Sequence, residues 1–155
     1  AGKLDQRMYR VFTLLGDGEL AEGSNWEAAL IASHYKLDNL IAIVDYNGLQ
    51  ITDKTKNVCC TDPLEDKFTA FGWFVQKVDG HNIEELLTTF QRIPFESEKP
   101  SLIIAETIKG KGVDFMEHEI KWHHGVPDDE QYHQAQLQLN SVKQSLITDH
   151  FSGQQ

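Results

Sequence analysis

Apolar runs alternate with stretches of helical period along this chain, and that alternation predicts its elements before any single residue is weighed. Val11, Phe12, Thr13, Leu14 and Leu15 form a β-rich run that stops at Gly16, as a buried strand does on reaching a turn. Residues 25–36 set Trp26, Ala29 and Leu30 at helical spacing, with Ser33 and His34 one turn further on. A second apolar strand over 39–45 ends in polar, turn-forming residues. Residues 63–71 read as a helix with Phe68 and Phe71 on one face, and 73–78 as a third strand broken by Asp79 and Gly80. Residues 82–93 form an amphipathic helix, with Asn82 as its N-cap and Leu86, Leu87 and Phe90 turned inward. Pro100 and Ser101 open a fourth strand over 102–105. From Gln131 onward the chain is Gln-rich and weakly periodic, so 133–155 is expected to be a helical tail that frays.

Strands separated by helices of this length are the signature of an α/β fold, a doubly wound parallel sheet with helices on both faces. The strand runs lack polar alternation, which fits strands covered on both sides. A length of 155 residues suits one domain spanning 1–155.

Composition narrows the partners. Fourteen basic against 24 acidic residues give a net charge of −10, which repels nucleic acid phosphates and anionic membranes, so neither is an expected partner. The longest apolar run, 40–44, is far too short to span a bilayer, and the opening residues lack a signal-peptide pattern. Cys59 and Cys60 are adjacent and form no disulfide framework, so a reducing, cytoplasmic home is expected and both read as ordinary residues near a loop.

In open α/β sheets ligands bind beyond the carboxyl ends of the strands. The first strand ends in Gly16, Asp17, Gly18 and Glu19; glycines there allow close backbone approach, and the acid suits a divalent metal that bridges to phosphates. The second ends in Asp45, Tyr46, Asn47, Gly48 and Leu49, where Asn47 offers a neutral oxygen and the following turn a backbone carbonyl. One carboxylate, one amide and one carbonyl, with diphosphate oxygens and water, suit octahedral magnesium. The Gly-Asp-Gly turn alone is weak evidence, because tight turns use the same residues. Two strand ends with matched oxygen ligands and a helix between them are more specific.

Gly16, Asp17 and Gly18, followed after residues 19–46 by Asn47, match the signature of thiamine diphosphate enzymes. The strings GDGELAEGSNWEAALIASHYKLDNLIAIVDYNGLQI and ETIKGKGVDFME closely resemble transketolases, especially bacterial forms made as two subunits. The resemblance runs from the first residues to about Tyr132. It implies the thiamin diphosphate-binding fold, with thiamine diphosphate and Mg2+ (or Ca2+) as cofactors. By the same resemblance, Asp17, Asn47 and the carbonyl of Leu49 would bind the metal, and Gly16 and Gly18 would line the diphosphate. Glu22 would lie at an interface between subunits, close to cofactor and active site; the plainer reading is a helix N-terminal charge. The segment from Lys121 to Pro127 resembles the region of an active-site histidine: the tryptophan match selects His123, the His-Gly-x-Pro spacing His124, the latter using more positions.

Lys109, Lys111, His34 and His81 have sufficient plain readings as loop, packed or surface residues. The start at Ala1, Gly2 and Lys3 resembles the end of a family helix, so an upstream segment is expected to be missing, as is the pyrimidine-binding domain. The implied activity is transfer of a two-carbon glycolaldehyde unit from a ketose phosphate to an aldose phosphate. Sugar phosphates are then the substrates, and a C-terminal subunit carrying the pyrimidine-binding domain is the partner in a homo- or hetero-oligomer. Alternatives kept open are a deoxyxylulose phosphate synthase-like or ketoacid dehydrogenase-like component and a non-catalytic assembly fragment. A nucleotide-binding Rossmann domain is set aside, because the first strand lacks its Gly-x-Gly-x-x-Gly turn.

Overall fold

The structure, a computed structural model, describes residues 1–152, with side chains through residue 146. They divide into two compact units, Ala1–Thr107 and the residues from Ile108 onward. In chain order the first unit runs β1 (Val11–Gly16), α1 (Gly23–His34), β2 (Leu40–Tyr46), a hairpin of β3 (Leu49–Gln50) and β4 (Asp53–Lys54), α2 (Thr55–Val58), α3 (Leu64–Ala70), β5 (Phe74–Asp79), α4 (Ile83–Gln91) and β6 (Ser101–Glu106). The main sheet has the order β1-β2-β6-β5, all parallel. Its register pairs Gly16 with Asp45 and Asp45 with Ala105, so β1, β2 and β6 end level with one another. Asp17, Asn47 and Thr107 therefore leave the sheet at one edge.

Period-2 alternation distributes the core over both faces. Ala42 and Val44 of β2 join Leu102 and Ile104 of β6 in a cluster with Ala29 and Ala32 of α1 and Leu64 and Phe68 of α3. Ile41 of β2 joins Ile103 and Ala105 of β6 in a second cluster, against which Leu86 and Phe90 of α4 pack. Helices thus cover both faces, as the apolar runs predict. The edge strand β1 is the exception to full cover: Val11, Phe12 and Leu14 are 43%, 47% and 69% exposed.

Three differences from the sequence expectation have local causes. Helix α1 starts two residues early, because Glu22 is extended (φ −73°, ψ 123°) and caps it; it ends at His34, just before Lys36 takes a left-handed φ of 51°. Leu30 stays on its exposed side. In α4, Asn82 does cap the helix, accepting from Glu85 N at 3.1 Å, but Leu87 is exposed and Thr89 is buried instead. Leu86, Phe90 and Ile93 fix the inward stripe, and Leu87 is rotated about 100° away from Leu86. The hairpin and α2 had no periodic signal, since two-residue strands cannot show one.

The second unit begins with a glycine-rich loop. Gly110 has φ +80°, and a Cβ there would lie 2.5 Å from Met116 O, so only glycine fits without moving backbone. Trp122 Nε1 donates to Phe115 O at 2.9 Å, and the two rings lie 5.5 Å apart. A single 3-10 turn, Ile120–His123, leads towards α5 (Asp129–Ser152). Asp114 and Gln138 tie loop to helix through reciprocal bonds of 2.8 and 2.6 Å. The helical tail expected over 133–155 is helix through Ser152; the fraying expected at its end falls on 153–155, outside the described residues.

Candidate cofactor-anchoring site

The turn after β1 begins with Asp17, which caps the 3-10 turn Gly18–Ala21. Its carboxylate is 2% exposed and accepts two backbone N–H bonds, from Gly18 at 2.9 Å and from Gly48 at 2.6 Å. The second bond spans 31 residues and fastens the turn after β1 to the turn after β2. Asp17 N in turn donates to Asp45 O at 3.1 Å, continuing the ladder past the strand end. In the β2 turn, Asn47 Oδ1 accepts from Leu49 N at 3.0 Å, and Gly48, with φ +75°, donates from its own N–H and accepts from Thr55 N at 2.9 Å. Asp17, Gly18, Asn47 and Leu49 are thus held by one hydrogen-bonded knot. Each Asp17 oxygen and the Asn47 oxygen keeps a further lone pair beyond the bond named.

Burial raises the Asp17 pKa above the usual carboxylate range; the Gly48 and Gly18 bonds oppose this, and the charges of Asp45 and Asp62 add to it. A buried acid pushed towards neutrality beside two other acids is a place where a hard cation relieves a real cost. The donor set is all oxygen, as magnesium or calcium requires. Gln50 Oε1 is buried without a partner, and a Cβ on Gly18 would lie 2.8 Å from Gln50 Cγ, so the turn has room for backbone only. Among the described residues no three His, Cys, Asp or Glu side chains cluster to hold a metal. A cation here would therefore rest on Asp17, Asn47 and the Leu49 carbonyl, with the remaining oxygens coming from its ligand and water. The residues present fit such a group.

The sign of the resulting pH dependence is fixed. Because the folded pKa of Asp17 lies above the unfolded one, its contribution to stability is fully present below the unfolded pKa and is lost as pH rises through the folded value. A cation binds the ionised form, so its affinity moves the opposite way. Magnesium affinity in the presence of thiamine diphosphate should strengthen as pH rises from the ordinary carboxylate range towards neutrality. A flat profile would remove Asp17 from the ligand set.

The sheet edge also holds residues that sequence reasoning missed. Thr107 Oγ1 donates to Asp45 Oδ1, and Thr107 N donates to Tyr46 O at 3.0 Å, so β6 pins the last residues of β2 just ahead of Asn47. Tyr46 donates its hydroxyl to Asp62 Oδ2 at 2.9 Å; burial, then that bond and neighbouring acids, push its pKa up to about 12. The Asn47-Gly48 pair carried a turn signal that could have marked the Gly48 N–H. Thr107 carried none, being 62 residues from Asp45.

Gly16 lies at the strand end, where its N–H donates to Glu19 Oε2 at 3.1 Å. Glu22 caps α1 with its backbone only: its side chain is exposed and makes no capping bond, so capping does not occupy this carboxylate. His123 and His124 belong to the second unit; both are exposed, with ring centroids 4.5 Å apart and nearly perpendicular. Loss of solvation, then the charges of Lys109 and His124, hold the His123 pKa below its usual value, which favours a neutral imidazole.

A parallel α/β sheet with a buried carboxylate knotted between two adjacent strand ends defines a ligand-anchoring domain of the doubly wound class. Residues 4–147 match the family described as transketolase, thiamine diphosphate binding domain, and the chain belongs to that family. It is 48% identical over 146 residues to one subunit of the apulose-4-phosphate transketolase of Phocaeicola vulgatus, covering 94% of this chain and 52% of that protein. It is 41% identical over 139 residues to one subunit of a 6-deoxy-6-sulfo-D-fructose transketolase of Clostridium, covering 90% and 50%. The crystal structure of transketolase from Campylobacter jejuni superposes with a TM-score of 0.77 at 34% identity, covering 86% of this chain and 21% of that one. The chain spans about half the length of the curated subunits it matches.

Proposed function

We propose that this chain is the diphosphate- and magnesium-anchoring part of a two-subunit transketolase, active only with a partner subunit that carries the pyrimidine-binding domain. The observation that carries the reading is the Asp17 carboxylate, buried and bonded to Gly48 N at 2.6 Å, which presents Asn47 and Leu49 beside it. When bound, thiamine diphosphate supplies the nucleophilic carbon and electron sink for moving a two-carbon ketol unit between sugar phosphates. The chain's own residues do the holding. Asp17, Asn47 and the Leu49 carbonyl bind the cation that neutralises the diphosphate, and Gly16 and Gly18 let backbone approach it. His124, with His123 beside it, serves as the histidine that contacts substrate or diphosphate. The names of the relatives, which are those of single subunits, support a partner chain, and their sugar names support a phosphorylated or sulfonated sugar as donor. Two unpaired, exposed cysteines are consistent with a reducing, cytoplasmic setting. Among the described residues no helix is long and apolar enough to cross a membrane.

The test is calorimetric titration of thiamine diphosphate with magnesium and then with excess chelator, on the chain and on its complex with the partner subunit. Magnesium-dependent binding in either is expected; none in both would overturn the reading. A second measurement addresses Glu22. Glu22→Ala should leave the melting midpoint of the isolated chain within a degree or two, since its side chain makes no capping bond. The same variant should weaken association with the partner about tenfold, or about 1.4 kcal/mol. Association at the wild-type constant, read by sedimentation, would return Glu22 to the role of a solvated helix charge.

A further inference from the structure

A second feature stands apart from the anchoring residues. An open cleft of about 440 Å³ is lined by Cys59, Cys60, Lys67, Leu20, Trp26 and Phe71. Both thiols are free and exposed. They follow α2, whose last turn closes with Cys59 N donating to Thr55 O at 2.9 Å. The apolar wall is firm: Trp26 lies 5.9 Å from Phe71, edge to face, and its Nε1 donates to Leu20 O at 2.8 Å. The charge is fixed as well. Lys67 Nζ donates to Thr61 O at 2.8 Å and to Asp62 O at 3.0 Å and sits 5.8 Å from the Trp26 ring, which leaves its third N–H for another acceptor.

We propose that this cleft is a thiol-modification site, at which the Cys59–Cys60 pair takes up a small disulfide bearing carboxylate groups as a mixed disulfide. A thiolate sulfur of the pair attacks one sulfur of the incoming disulfide. A new sulfur–sulfur bond forms to the protein, the reagent's own bond breaks, and the departing thiolate takes the proton the cysteine gave up. The reagent is the oxidant, and one small thiol is released per adduct. Closure to an internal disulfide is disfavoured, because neighbouring α-carbons are about 3.8 Å apart across a trans peptide, whereas disulfides ask for at least about 4.4 Å. The mixed disulfide is then the product that persists. Its organic part lies on Trp26 and Phe71, with a carboxylate on Lys67. Among the described residues no third His, Cys, Asp or Glu joins the two thiols, which makes metal capture the poorer use of the same pair.

Position gives the site a consequence, which rests on the anchoring role of Asp17 proposed above. Trp26, on which the adduct lies, donates to the carbonyl of Leu20 in the 3-10 turn that Asp17 caps, so an adduct on Trp26 bears on the turn that presents the carboxylate. The adduct should raise the concentration of magnesium needed for cofactor binding.

The experiment treats the reduced chain with glutathione disulfide and, separately, with the uncharged hydroxyethyl disulfide, and follows adducts by intact mass and peptide mapping. One glutathione per chain is expected, lost in a Cys59→Ser, Cys60→Ser double variant. Lys67→Met should slow reaction with glutathione disulfide by roughly 2- to 5-fold, the span of a solvent-exposed ion contact, and leave the neutral reagent unaffected. Lys67→Arg should restore the rate. Equal slowing with both reagents, or no slowing, would overturn the role of the cleft. Failure of the adduct to form would overturn the site itself. These readouts do not involve the cofactor. If the adduct forms as described and magnesium-dependent cofactor binding is unchanged, only the link to Asp17 falls.

Discussion

An Asp17→Ala chain will lose magnesium-dependent binding of thiamine diphosphate by more than about 100-fold and still fold. Removing the outer partners of a metal ligand typically costs 10- to 100-fold in affinity, and Asp17 would be the only carboxylate in the set, so its loss lies beyond that range. The structural cost is smaller than its burial suggests. The carboxylate takes two N–H bonds, from Gly18 and Gly48, each worth roughly 1.5–3 kcal/mol when the acceptor is charged. Against this stands the cost of keeping a charge in a site that raises its pKa. The second offsets part of the first, so the cofactor-free variant should still melt cooperatively, its midpoint falling by about 2–4 °C for each kcal/mol of net loss. Calorimetry gives the first number and a thermal scan the second. Binding near the wild-type constant would sink the assignment, and a variant with no melting transition would show that the carboxylate is chiefly structural.

Residues that face the same way at a fixed period were legible, and residues joined across the fold were not. Gly16, Asp17 and Asn47 could be placed at strand ends because such ends are marked in sequence by the switch from apolar run to turn residues, and in parallel sheets those ends are the candidate ligand positions. The register that levels Gly16, Asp45 and Ala105 is a consequence of three strands packing together, and no local pattern encodes it. For the same reason the Asp17–Gly48 bond and the Thr107 clamp on Asp45 needed the structure. The inward placing of Leu87 failed because two neighbouring leucines fit the same helical template; packing of Phe90 and Ile93 decided between them. The histidine pair shows a different limit. Spacing to Gly125 and Pro127 favours His124 and the adjacent tryptophan favours His123, while the structure exposes both rings side by side.

Trp73→Ala will lower the stability of the first unit by roughly 3–5 kcal/mol, the usual cost of emptying a large aromatic site in a core. Trp73 is 5% exposed and meets the Phe68 ring at 5.4 Å, edge to face, while its Nε1 donates to Ala29 O at 2.9 Å. That bond joins Trp73, the residue just before β5, to Ala29 of α1, 44 positions earlier, and α1 is the helix whose Trp26 holds the carbonyl of Leu20 in the Asp17 turn. Trp73→Phe separates packing from the hydrogen bond: it keeps most of the ring and drops one donor, for a loss of about 0.5–1.5 kcal/mol. On the scale above, the alanine variant melts at least about 6 °C lower and the phenylalanine variant only a few degrees lower. If the tryptophan acts through stability alone, the phenylalanine variant should bind thiamine diphosphate with wild-type affinity at temperatures where it is folded. A weakened cofactor constant in that variant would mean that the α1–β5 contact sets the geometry of the Asp17 turn directly, and that anchoring begins further from the sheet edge than the metal ligands themselves.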